Sequence, residues 1–243
     1  MSWYELASAA GESGHSSDLI FVIPGIGLEV TSVVTTMWVI MGLLILLGWL
    51  TTRSMQRLPE GRLQNIMEMV VEALLGLLEQ VMDRKRAVQY LPLLGSFFLF
   101  IIVSNYSGLI PGAGEIKGFK APTSHWGVTA GLAIVVFVAV QLNGIRKKGL
   151  KYFKHFAEPV MMAPLMIPLN ILEEVVKPFS LSLRLAANIY GGEVVLMGLL
   201  MAIPYFLPIT VLGLEVVFGF IQAFIFTVLA AVYIGSATSE ESH

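Results

Sequence analysis

The stretch SLSLRLAANIYGGEVVL, Ser180 to Leu196, sets an arginine among Leu, Ala, Ile and Val, and no Lys or Arg follows it to the end of the chain. An Arg or Lys at a bilayer centre costs about 2.5–3.5 kcal/mol on insertion scales. Such a residue is retained only where it faces water, an acidic partner or another protein. At roughly 100° per residue, Glu173, Lys177, Ser180, Arg184 and Asn188 share one helical stripe, at spacings of four, three, four and four. Glu173 and Lys177 are an i,i+4 pair in the favoured order and can neutralise each other. Arg184 has no such local partner. The nearest acid behind it is ten residues back, and Glu193, nine residues on, falls about 180° around a regular helix. Arg184 and Glu193 therefore belong to opposite walls. The counter-ion of Arg184 comes either from another helix of this chain or from another subunit.

The rest of the chain has the same character. Of 243 residues 56% are hydrophobic and 13% charged, where a soluble domain is about a quarter charged. The sequence therefore reads as an all-α integral membrane protein. The absence of cysteine excludes disulfides, iron–sulfur clusters and thiol chemistry. Four scattered histidines make no metal-ligand spacing, so no metal and no cofactor is expected. No nucleophile–base pair is visible, so no catalytic site is expected in this chain.

A spanning helix needs about 20 apolar residues. Spans are expected at 30–52, 87–110 and 121–145, after an extracytoplasmic tail at 1–29. A long polar-striped membrane helix follows at 159–203, and a last one at 209–238. That makes about five membrane-embedded helices. Pro159, Pro164, Pro168 and Pro178 punctuate the approach to Arg184, which predicts irregular or broken helix there. Between the first two spans, EGRLQNIMEMVVEALLGLLEQVMD (60–83) carries an apolar stripe of Ile66, Val70, Leu74, Leu77, Leu78 and Val81 against an acidic one. It reads as one amphipathic helix lying at the interface or against a partner.

Basic residues cluster at Arg53–Arg86 and at Arg146–Lys154, and are absent before Glu29. The positive-inside rule then places the N-terminus outside and the C-terminus in the cytoplasm. The loop 146–154 is read as an orientation determinant at lipid headgroups, and no nucleic-acid partner is expected. The last helices add Glu193 and Glu215, separated by a charge-free stretch, and Gln222 seven residues beyond Glu215. Isolated carboxylates inside a membrane are candidates for a proton relay. Gly191 and Gly192 are read as a close helix–helix approach.

KPFSLSLRLAANIYGGEVV (177–195) and GFIQAFIFTVLAAVYIG (219–235) closely resemble the two hallmark segments of subunit a of the rotary F-type ATP synthase, and NYSGLIPG (105–112) extends the likeness. The resemblance implies a membrane-sector stator beside a ring of c subunits, in an energy-coupling membrane such as the bacterial inner membrane. The last two helices would form a hairpin against that ring. It implies that Arg184 faces the ring's carboxylates, with Asn188 beside it and Gln222 opposite. Glu193 and Glu215 would line a half-channel open to the outside, and the amphipathic helix would meet the peripheral stalk b subunits. Lys177, Glu173 and Asn105 would support this pathway. Three positions depart from the family pattern: Ala186-Ala187 where many members have Phe-Gly, Gly108 where many have Asp, and His125 where some have an acid. The rival reading is a self-contained secondary transporter or channel with an intramembrane arginine site.

Overall fold

The computed structural model describes residues 19–23, 28–53, 61–110, 119–149, 163–202 and 207–238. Among them nearly all regular structure lies in six α-helices. The exception lies in the segment read as a tail, whose residues 1–18 are outside the described ones. There β1 (Leu19–Ile23) and β2 (Leu28–Thr31) pair antiparallel, Val22 opposite Glu29 and Ile23 opposite Leu28. Residues 20–23 and 28–31 are rich in the β-branched and aromatic types that favour strands.

The first span, α1, covers Ser32–Arg53. One narrow side, with Val33, Thr36 and Ile40, is buried, while Trp38, Val39 and Ile45 face outward. Exposed apolar residues of this kind are what a lipid-facing surface requires. The hydroxyl of Thr36 bonds the Ser32 carbonyl at 3.0 Å, so a polar side chain is carried inside the bundle without an unmet donor.

The amphipathic helix is shorter than its sequence pattern. α2 runs Arg62–Glu79, and the next helix, α3, begins at Arg84 and ends at Ser107. The three consecutive basic residues thus occupy the first turn of a helix and not a loop before residue 87. That placement opposes the helix dipole. It is offset by Asp83, which meets Arg86 at 2.5 Å, and by Glu79, which meets Arg84 at 3.0 Å. Only the C-terminal half of the apolar stripe is covered: Leu74 and Leu78 are buried, whereas Ile66 is exposed.

The third span starts later than 121. Ala121 leads into a buried 3-10 turn, Pro122–Ser124, and α4 (Trp126–Lys148) begins after His125, whose Nδ1 accepts from the Gly127 N–H at 3.2 Å. Proline at the start of the turn fixes its backbone and leaves a helix to be capped anew.

The broken helix expected near Arg184 is not found. α5 is continuous over Ala163–Ala202, 40 residues, with Pro168 and Pro178 inside it. Each proline removes one backbone donor, but neighbouring helices and a shielded environment let membrane helices absorb that loss. α6 covers Leu207–Thr238. It runs antiparallel to α5, since Gly192 faces Glu215 and Lys177 lies over the Tyr233 ring.

The core forms where α3, α5 and α6 meet. Leu94, Ile101, Leu181, Leu185, Phe226 and Ile234 are all almost fully buried. Ala223, Ala230 and Ala231 are equally buried and allow close backbone approach, the usual device of membrane helix packing. Phe97 meets Phe226 edge-to-face, centroids 6.0 Å apart. Among the described residues four helices, α1, α3, α4 and α6, are long and apolar enough to cross a membrane. α5, the fourth of the five membrane helices expected from the sequence, is not one of these four and carries five charged residues.

Candidate functional site

Packing of α5 decides where its polar stripe points. Leu181, Ser182, Leu185 and Ala186 are buried against the bundle, which turns Ser180, Leu183 and Arg184 outward. Among the described residues no carboxylate lies within ion-pairing distance of the Arg184 guanidinium. The arginine thus stands exposed on its polar stripe with Ser180, beside the exposed apolar residues Val176, Phe179 and Leu183.

One end of the α5–α6 pair holds a polar cluster. Lys177 Nζ lies 3.1 Å from Glu173 and 2.9 Å from Glu174, and 5.9 Å from the Tyr233 ring centre. Gln141 on α4 donates to Glu174 at 3.1 Å. The Glu173–Lys177 pair was legible from spacing, and Glu174 could have been read the same way at i,i+3. Gln141 and Tyr233 could not, because only the tertiary fold brings them there.

The other end encloses a cavity of about 400 Å³, into which Asn105, Gly108, Asn188, Glu193 and Glu215 contribute. It opens between α3, α5 and α6. Glu193 sits 3.9 Å from where a Cβ on Gly108 would be, and that same position is 3.0 Å from the Ala121 Cβ. The Glu193 carboxylate thus lies across Gly108 from the turn that begins at Ala121. Glu215 reaches over Gly192. A Cβ there would collide with its carboxylate, lying 3.1 Å from Cδ. Gly192 is therefore a close approach, but of a side chain to a helix. Gly191 has open space around it.

Asn105 and Gln222 join the two levels. Asn105 Nδ2 donates to the Gly219 carbonyl at 2.9 Å, and Gly219 is small enough to let α3 and α6 touch. Its Oδ1 has no partner among the described residues, and neither does Nε2 of Gln222, which is 5% exposed. A buried amide without a partner costs about 1–3 kcal/mol, so both groups are set for something that reaches them. Glu215 is half-buried and Gln222 buried, so the face they share points into the bundle.

The structure therefore gathers Glu193, Glu215, Asn105 and Asn188 around one cavity and holds Lys177 with Glu173 in another cluster. Arg184 stands apart from both. Glu174 and Gln141 are polar neighbours that sequence reasoning passed over. Apart from the spacing of Glu174, no sequence signal marked them.

Together these features define a polytopic helical membrane protein with an acid-lined cavity and a surface arginine that has no ion-pair partner among the described residues. The sequence profile described as ATP synthase A chain matches residues 34–235, and the chain belongs to that family. ATP synthase subunit a 2 of Bradyrhizobium sp. (strain BTAi1 / ATCC BAA-1182) is 43% identical over 224 residues, 91% of this chain and 94% of the relative. ATP synthase subunit a of Moorella thermoacetica is 42% identical over 210 residues, covering 86% of this chain and 91% of the relative. That of Geobacter sulfurreducens is 37% identical over 207 residues, 85% and 86% of the two chains.

Proposed function

We propose that this chain is the proton-translocating stator subunit of a rotary F-type ATP synthase, working against a ring of c subunits. The observation that carries the reading is the position of Arg184. It is exposed, without an acid of its own chain among the described residues, while Glu193 on the same helix turns into the cavity. A guanidinium exposed beside apolar residues calls for carboxylates from another polypeptide. The c-ring carboxylates are such groups, and the α5–α6 hairpin would be the surface that meets them.

The cavity around Glu193 and Glu215 is one half-channel, open on the side of the N-terminal tail. A proton entering by Glu215 and Glu193 neutralises a ring carboxylate, and the neutral site can then turn into lipid. The ion-paired cluster at Lys177, Glu173 and Glu174 lies towards the cytoplasmic side and supports the pathway there without exchanging protons itself. Arg184 attracts each returning ionised carboxylate, and its fixed charge blocks direct passage between the two half-channels. Asn188 and Gln222 line the approach, and Asn105 holds α3 against α6. Each charge moved is worth about 2.3 kcal/mol per 100 mV, so several must combine for each ATP made elsewhere in the complex. The exposed half of α2 is offered to the peripheral stalk b subunits. The complex would lie in the bacterial inner membrane, with the N-terminus outside and the C-terminus in the cytoplasm.

The test is Arg184→Ala in the whole complex. ATP-driven proton pumping in inverted vesicles is expected to vanish, and pumping at a normal rate would remove the basis of the proposal. Proton flux through the purified chain alone, without a ring, would favour the self-contained transporter instead.

A further inference from the structure

We infer that Lys147 is a positioning residue for α6, an ammonium on α4 that ties down the end of that helix remote from the cavity. The inference rests on the proposal that α6 meets a moving ring. α6 ends at Thr238, which is buried although it closes a helix. A helix leaves its last carbonyls without intrahelical donors, and its C-terminus carries a partial negative charge. Lys147 Nζ donates to the Thr238 carbonyl at 2.7 Å. The Thr238 hydroxyl donates to the Ile234 carbonyl at 2.7 Å and accepts from Arg86 Nη1 on α3 at 3.4 Å. Arg86 is held in turn by Asp83. One turn back, α6 rests on the turn between α2 and α3, where a Cβ on Gly235 would lie 3.7 Å from the Val81 carbonyl.

The two ties are not equivalent. Arg86 spends Nε and Nη2 on Asp83 and reaches Thr238 only at the long end of hydrogen bonding. The Lys147 bond is short, charge-assisted and made to the main chain, so it depends on where the helix backbone ends. Farther along, α6 is held again, where Asn105 on α3 donates to the Gly219 carbonyl at 2.9 Å. Two backbone carbonyls of one helix are thus tied to two neighbouring helices. At 1.5 Å per residue they stand about 28 Å apart, and two fixed points set both the height and the rotation of what lies between them. Gln222 lies in that span. On the same helix Val216, Val217, Phe218 and Phe220 are exposed, an apolar surface on which a moving partner would drag. Without Lys147 the far end of α6 is left to the long Arg86 bond and to apolar packing, which is non-directional. A sideways pull then turns the helix about the Gly219 contact, and Gln222 and Glu215, on either side of it, move together.

The experiment uses the assembled complex in inverted vesicles, with the amount of the chain in the membrane measured for each variant. In Lys147→Met, hydrogen exchange at the amides of 234–238 is expected to rise about two- to tenfold, the size of one net hydrogen bond. The initial rate of ATP-driven proton pumping, before a gradient builds, is expected to stay within about twofold of the unaltered complex. Against a full gradient it should fall about three- to fivefold, because the drag on α6 then has to be borne. Lys147→Arg, which keeps a charge and a donor, is expected to match the unaltered complex in both. A loss of equal size with and without the gradient would assign the defect to folding and overturn the inference. So would unchanged exchange, unchanged pumping against the gradient, or a loss in Lys147→Arg as deep as in Lys147→Met. Pumping at a normal rate in Arg184→Ala would instead bring down the rotary reading, whatever the exchange at 234–238 showed.

Discussion

At the Lys177 level of α5 and α6 two carboxylates share one ammonium, while at the Glu193 level two carboxylates share a cavity. The helices are the same, and so is the residue type. The first pair of acids is satisfied by a basic residue on its own helix and by Gln141. The second pair has no basic side chain within ion-pairing distance among the described residues, and it lines a cavity instead. A tied acid resists a change of protonation, whereas an acid beside a cavity can exchange a proton with water. The contrast marks the second site as the one built for exchange, with Arg184 standing between the two.

The sharpest way to break this contrast is to neutralise the cavity acids. Glu193→Gln and Glu215→Gln are each expected to slow ATP-driven proton pumping by at least about tenfold, as loss of a positioned proton-transfer group does. The same measurement on Glu174→Gln should show less than about a twofold change if that acid is chiefly an ion-pair partner. Equal losses at the two levels would erase the distinction. Gly192→Ala comes next: its methyl must displace the Glu215 side chain, an overpacking that costs about 1–3 kcal/mol. Reduced pumping with a normal amount of assembled complex is the expected result, and Gly191→Ala, with open space around it, serves as the silent control.

Smaller effects belong to the tied end. Lys177→Met frees two acids, and a double-mutant cycle with Glu173→Gln should give a coupling of about 1 kcal/mol or less in thermal unfolding, since Glu173 is exposed to solvent. The least effect is expected outside the spans, at Asp83. The Arg86 guanidinium beside it holds its carboxyl below the usual carboxylate range, chiefly by a hydrogen bond. A lowered folded value means that the pair stabilises the fold above about pH 4 and loses this contribution as pH falls through the lowered value. Asp83→Asn should therefore unfold slightly earlier than the unaltered chain near neutrality, with the gap closing in acid.

Several elements could be read before any fold was known, because each rests on local periodicity. The apolar runs predicted α1, α3, α4 and α6 to within a few residues at most ends. The helical spacing of Glu173 and Lys177 predicted their contact, now 3.1 Å. Where local rules compete, reading failed. Pro168 and Pro178 argued for a break in α5 that packing against the bundle overrides. The pattern of α2 continued past Glu79, yet the chain turns there because Asp83 and Glu79 can neutralise the basic first turn of α3. The strand pair ahead of α1 carried too short a signal to separate it from a loop.

By itself the sequence determined that the chain lives in a membrane, and that Arg184 and Glu193 cannot share a face, since both follow from composition and from 100° per residue along one helix. Which of these faces is covered is a different kind of fact. Leu181 and Leu185 had to find α3 and α6 before Arg184 was left outside, and the turn that begins at Ala121 had to come up beside Gly108 and Glu193. Contacts between distant segments depend on how whole helices pack, and no spacing along the chain encodes them.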